Sequence, residues 1–106
     1  MALTRKVLYF GQLASAKADI YVPSGVKGFV HNLTIHNTGV TTEKVVLYYN
    51  DGANEYKFIN VDINSNETLF IDFRGEGFVV EDGEKITGNT DTVTTVTIKI
   101  DGTEEA

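Results

Sequence analysis

The chain reads as all-β, a single antiparallel β-sandwich of about eight strands. Three observations predict this. β-branched and aromatic residues recur in short alternating runs; the last, Thr92 to Ile100, reads Thr-Val-Thr-Thr-Val-Thr-Ile-Lys-Ile without Gly or Pro. Branching at Cβ restricts χ1 and suits a side chain standing on a pleated surface. Turn-forming residues separate the runs at intervals of roughly 8 to 12 residues, the spacing of sandwiches and barrels rather than of βαβ units. No segment holds a 3.6-residue apolar period long enough for a helix.

The elements follow in order. Lys6 to Leu13 alternates as a first strand and gives way to Leu13 to Ala18, room for one helical turn at most. Asp19 to Val22 is a short second strand, stopped by Pro23-Ser24-Gly25, where Pro sets φ and Gly tolerates positive φ. Lys27 to Asn37 is the longest early strand. Regular alternation puts Phe29, His31, Leu33 and Ile35 on one face and Val30, Asn32, Thr34 and His36 on the other. Glu43 to Asn50 comes next, with Val45, Leu47 and Tyr49 on one side and Val46 and Tyr48 on the other.

Asp51-Gly52 signals a type I′ hairpin, because that turn needs positive φ at both central residues. Tyr56 to Ile63 is the return strand, Asn64-Ser65-Asn66 the next turn, and Glu67 to Phe73 a strand with Leu69, Ile71 and Phe73 on one face. Phe78 to Val80 is a short strand or edge segment, and Glu81-Asp82-Gly83 turns the chain into Glu84 to Gly88. There is no linker, repeat or low-complexity tract. One domain is expected, with residues 1–17 as an N-terminal arm and first strand and residues 18–106 as the sandwich body.

Composition narrows the function. With 106 residues, 42% of them hydrophobic, the chain can bury one core without staples. The absence of Cys excludes disulfides, thiolate catalysis and cysteine-held metals. No apolar run approaches the roughly 18 residues of a membrane span, and Met1 to Phe10 lacks the h-region of a secretory signal, so no membrane role is expected. A formal charge of −6 argues against nucleic acid, whose binding depends on neutralising phosphates. The charge is uneven: Arg5, Lys6, Lys17 and Lys27 against Asp19 leave residues 1–30 at +3 and the remainder at −9. A basic N-terminal arm could therefore steer onto an acidic neighbour.

Catalytic equipment is sparse. His31 and His36 have odd separation, so a regular strand sends them to opposite faces and away from a shared metal. Ser15, Ser24 and Ser65 sit in loop or turn settings, none in a nucleophile-elbow sequence. Glu81, Asp82 and Glu84 cluster around a Gly and read as a solvated turn before they read as a hydrolytic pair. Asp51 to Glu55 collects oxygen ligands without the twelve-residue calcium-loop pattern. The sequons at Asn32 and Asn66 carry no function in a chain not expected to be secreted. No enzyme activity, cofactor or metal is expected. The exposed half of the aromatic residues and the arm are the candidate contacts: Leu3, Arg5, Lys6, Tyr48 and Tyr56.

Tyr21-Val22-Pro23-Ser24-Gly25-Val26-Lys27-Gly28-Phe29-Val30, followed by Asn32-Leu33-Thr34-Ile35-His36-Asn37-Thr38, resembles small β-sandwich virion proteins of tailed bacteriophages. In those proteins a similar turn leads into a strand ending near an Asn-Thr pair. A strand like Val45 to Tyr49 and an Asn-Glu-Thr-Leu step like Asn66 to Leu69 then follow. The resemblance spans about residues 18 to 100, and its motifs are turns that Ig-like and carbohydrate-binding sandwiches partly share. It implies a jelly-roll-like winding, with Ig-like as the other possibility. It further implies a homo-oligomer, often a trimer, located on the virion and bound to the major capsid protein or other virion proteins. A capsid decoration role is the first expectation, and a carbohydrate- or receptor-binding module of a phage tail the second. No catalytic residue comes with the resemblance.

Overall fold

The structure, a computed structural model, describes residues 3–75, 77–91 and 95–106, with the side chain of Leu3 also outside the description. Nine strands occur among these residues: β1 (Leu3–Gln12), β2 (Ala18–Tyr21), β3 (Lys27–Asn37), β4 (Glu43–Asn50), β5 (Glu55–Ile63), β6 (Thr68–Asp72), β7 (Phe78–Val80), β8 (Lys85–Thr90) and β9 (Val96–Glu105). The first sheet has the order β1-β9-β3-β6, with β7 beside β6 on the same edge of β3, and the second has the order β2-β8-β4-β5. Every pairing is antiparallel.

The pairs are nested. β4 pairs β5, β3 pairs β6, β2 pairs β8 and β1 pairs β9, and successive pairs alternate between the sheets. The expected all-β sandwich is borne out, with the short β7 counted as a ninth strand. Between the sheets lies one core. Val30, Leu33 and Ile35 of β3 and Val96, Ile98 and Ile100 of β9 face Val45 and Leu47 of β4, Ile59 and Ile63 of β5 and Ile86 of β8. Each of these side chains contributes about 1.5–3 kcal/mol by leaving water. Phe58, Phe73 and Phe78 close one end of this layer, Phe58 stacked on Phe78 at 4.8 Å and Phe73 tilted against it at 5.6 Å.

Several expectations change in detail. The first strand begins at Leu3, so residues 3–12 are a ladder strand against β9 rather than a free arm. The last strand runs on to Glu105, past Asp101-Gly102, while Thr92 to Thr94 of the expected strand lie outside the described residues. Leu13 to Ala18 forms no helical turn but a bend that carries the chain from one sheet to the other, pinned by Leu13 N–H to Val96 O at 2.9 Å.

Asp51-Gly52 is not a two-residue turn. Asn50 and Glu55 are the last ladder pair, and only Gly52 of the two has positive φ, at 98°. Asp51 Oδ1 instead accepts from Ala53 N and Asn54 N at 2.9 and 2.7 Å, which stabilises a four-residue loop.

Alternation also slips. Ladder registers shift at Leu8 of β1, Ile20 of β2, His31 of β3 and Phe58 of β5. A bulge inserts one unpaired residue and resets which face follows. On β3 this places Val30 and Leu33 both in the core, whereas regular alternation separates them. The Leu8 and His31 bulges flank Asp101-Gly102 from both sides. A Cβ on Gly102 would stand 2.0 Å from Phe29 O and 2.9 Å from Leu8 Cδ1, so only glycine fits there.

Candidate interaction surface

The registers fix what each outer face presents. On the first sheet one row crosses four strands: Phe10 of β1 pairs Lys99 of β9, Lys99 pairs Thr34 of β3, and Thr34 pairs Phe70 of β6. Phe10 is 68% and Phe70 60% exposed. The neighbouring row is Val7, Asp101, Asn32 and Asp72, with Val7 also exposed. The ionised side chains at outward ladder positions of this face are Arg5, Lys27 and Lys99 against Asp72, Asp101 and Glu105. They balance, although the chain as a whole carries −6.

The outer face of the second sheet is covered by the chain's own polar groups. Lys17 forms an ion pair with Glu55, Thr87 Oγ1 donates to Glu55 at 2.9 Å, and Lys85 pairs Asp19 at 2.9 Å. The Lys17 ammonium lies 4.3 Å from the Tyr48 ring centroid. The bond from Lys17, and then that from Thr87, hold the Glu55 carboxyl below the usual glutamate range. Beneath this layer Val46 is only 7% exposed despite its outward parity.

One end of the sandwich is tied by a polar triad. Tyr21 of β2 is 5% exposed, and its hydroxyl donates to Glu104 Oε2 of β9 at 2.6 Å; Lys6 of β1 reaches Glu104 Oε1 at 3.0 Å. The Tyr21 bond, followed by Lys6, lowers the Glu104 pKa, while burial and then Glu104 raise that of Tyr21. The ring fits because β3 has Gly28 beneath it, where a Cβ would stand 2.3 Å from the hydroxyl. Near the two bulges Arg5, His31 and Asp101 line an open depression of about 430 Å³.

The expected contact residues do not form one surface. Arg5 projects from the outer face of the first sheet, and Lys6 turns inward to Glu104. Tyr48 lies on the opposite outer face beneath Lys17, and Tyr56, 52% exposed, sits on edge strand β5. The Leu3 side chain lies outside the described residues. Nor is the N-terminal positive charge unengaged. Lys6 pairs Glu104, Lys17 pairs Glu55 and Lys27 approaches Glu81 at 3.9 Å. Phe10 escaped the sequence reading as a contact because the Leu8 bulge resets its face, and Phe70 because the face that a regular strand buries depends on which sheet covers it.

The histidines also differ from expectation. His31 Nε2 lies 3.2 Å from Thr103 Oγ1 and His36 Nδ1 2.6 Å from Thr68 Oγ1, both threonines at outward ladder positions. The bulge at His31 thus brings both rings to one face, at different heights. Glu81 and Glu84 form the expected turn, Glu81 N–H donating to Glu84 Oε1 at 2.9 Å and Glu84 N–H to Glu81 O at 2.9 Å. Among the described residues no three His, Asp or Glu side chains are grouped to hold a metal.

No family model matches the chain, and no curated protein does. Among solved structures, it is similar to the crystal structure of a pentameric capsid protein isolated from metagenomic phage sequences. That likeness has 11% identity and a TM-score of 0.39, and covers 92% of this chain and 58% of the other. The chain therefore spans a little over half the length of that protein.

Proposed function

We propose that this chain is a non-enzymatic structural protein of a tailed-bacteriophage virion, a capsid decoration protein that binds the shell as a homo-oligomer. The observation that carries the reading is the nested pairing of β1·β9, β2·β8, β3·β6 and β4·β5 across two sheets. This is a double Greek-key, jelly-roll winding, recurrent in viral capsid and lectin domains. It agrees with the resemblance at Tyr21 to Thr38. The filled core and the self-satisfied polar groups support a rigid block whose use lies in what it touches. Many copies on a lattice would stabilise the shell by mass action and avidity. Trimeric association is what the resemblance implies.

The test is binding of the purified protein to phage particles depleted of it. Saturable cosedimentation at a fixed number of copies per particle is expected. The competing reading is a carbohydrate- or receptor-binding tail module, suggested by the exposed aromatic rings of the first sheet. Specific glycan-array binding together with no association with heads would replace the decoration role with that one.

A further inference from the structure

The outer faces of the two sheets are dressed differently. The second carries the Lys17–Glu55 and Lys85–Asp19 pairs with Lys17 over Tyr48, whereas the first carries the Lys99–Asp101 pair at 3.5 Å and leaves Phe10 and Phe70 bare at opposite ends of one row. Neither ring supports its own fold at such exposure. An acidic chain repels its own copies over most of its surface, but this face is charge-balanced and can meet a like face without that cost.

We infer that two copies of this chain pair back to back through the outer face of the first sheet, about a twofold axis parallel to the strands and passing between β9 and β3. The inference rests on the reading that the chain oligomerises and names the contact. An isologous contact places residue i against the partner's j and j against the partner's i. With Phe10, Lys99, Thr34 and Phe70 in one row, this axis sets Phe10 over the partner's Phe70, twice. Lys99 then meets the partner's Thr34, Asp101 the partner's Asn32, and Asp72 the partner's Val7. No like charges oppose each other in these two rows. An axis across the strands would stack Lys99 on the partner's Lys99 if it ran through this row, and if it ran between the two rows would set Phe70 on the partner's Asp72 instead of on a ring.

Four strands about 4.8 Å apart and four rows along them cover roughly 500 Å² per copy, or about 1,000 Å² in all, the lower bound of a specific interface. A reversible dimer is therefore expected. A twofold contact gives even-numbered assemblies, in contrast to the trimer that the resemblance implies.

Sedimentation equilibrium of the intact protein tests this. The wild type should be dimeric at high micromolar concentration. F10K and F70E should each shift the dimer constant by at least about tenfold, with unchanged circular dichroism because both sites are exposed. The double variant F10K/F70E should recover dimerisation, since each contact becomes Lys against the partner's Glu. A monomeric wild type, a trimer, or a dimer indifferent to both single changes would overturn the pairing. So would failure of the double variant to recover. Particle binding by a monomeric wild type would reject the pairing and leave the virion role standing; a dimer that never binds particles would do the reverse.

Discussion

Asn37 shows how single residues organise one end of the sandwich. It is fully buried, and its side-chain amide donates to Thr41 O at 2.8 Å and Ile63 O at 2.9 Å while Oδ1 accepts from Gly39 N at 2.9 Å. The β3–β4 loop and the end of β5 are thus fastened by one polar group. Asn37→Ala would orphan two carbonyls and an N–H, at a cost of about 2–4 kcal/mol. Thermal melting should fall by about 10–20 °C; a melting point within a degree or two of wild type would contradict this bonding.

At the other end, Glu104 has a folded pKa below its ordinary value, so it stabilises the fold above pH 4.5 and loses that contribution as pH falls through the folded value. Glu104→Gln should make acid unfolding shallower below that pH and leave the alkaline side to the tyrosines. Burial and the Glu84 carboxylate push Tyr49 up to about 12, and Tyr21 is raised too, so both favour the fold below pH 10 and oppose it as they ionise. An acid limb unchanged in Glu104→Gln would remove the triad from the account.

At the scale of elements, strand identity was readable because β-branched and aromatic residues alternate and turn residues punctuate them. Alternation sets Leu47 on one side of β4 with Val45, and both are fully buried. Leu47→Asp would leave a charge without water or a partner and should abolish cooperative unfolding, whereas Leu47→Ala should cost about 2–5 kcal/mol. A folded Leu47→Asp would mean the β4 faces are reversed.

The bulges were not readable. An extra residue at Leu8 or His31 is defined only by the partner strand, and nothing local to Val30-His31-Asn32 marks it. That omission moved His31 to the wrong face and hid Phe10, which follows the Leu8 bulge; Phe70 lies on a regular strand and was hidden only because its sheet was not known. Arg5, Lys6, Tyr48 and Tyr56 scatter for a related reason: alternation gives two faces per strand, but the sheet to which a strand belongs is set by long-range pairing. Gly102 marks where the bulges meet. Gly102→Ala should destabilise by about 3 kcal/mol or more through the clash with Phe29 O; a chevron analysis with unchanged stability would show the backbone there to be looser than described.

For the whole molecule, the outermost pair β1·β9 joins residues nearly the full chain apart, and most ladders are non-local. The product is a block of 45 × 26 × 19 Å with a buried apolar interior. Its balanced, partly aromatic face lies opposite one covered by ion pairs. The proposed pairing uses the first face and leaves the second to water.

If the proposed virion role holds, the sharpest test is electron cryomicroscopy of purified phage particles whose genome carries this sequence. Two-sheet density of these dimensions is expected at regular sites on the capsid, with the Phe10–Phe70 face turned away from solvent. Purified infectious particles that lack the chain altogether would contradict it.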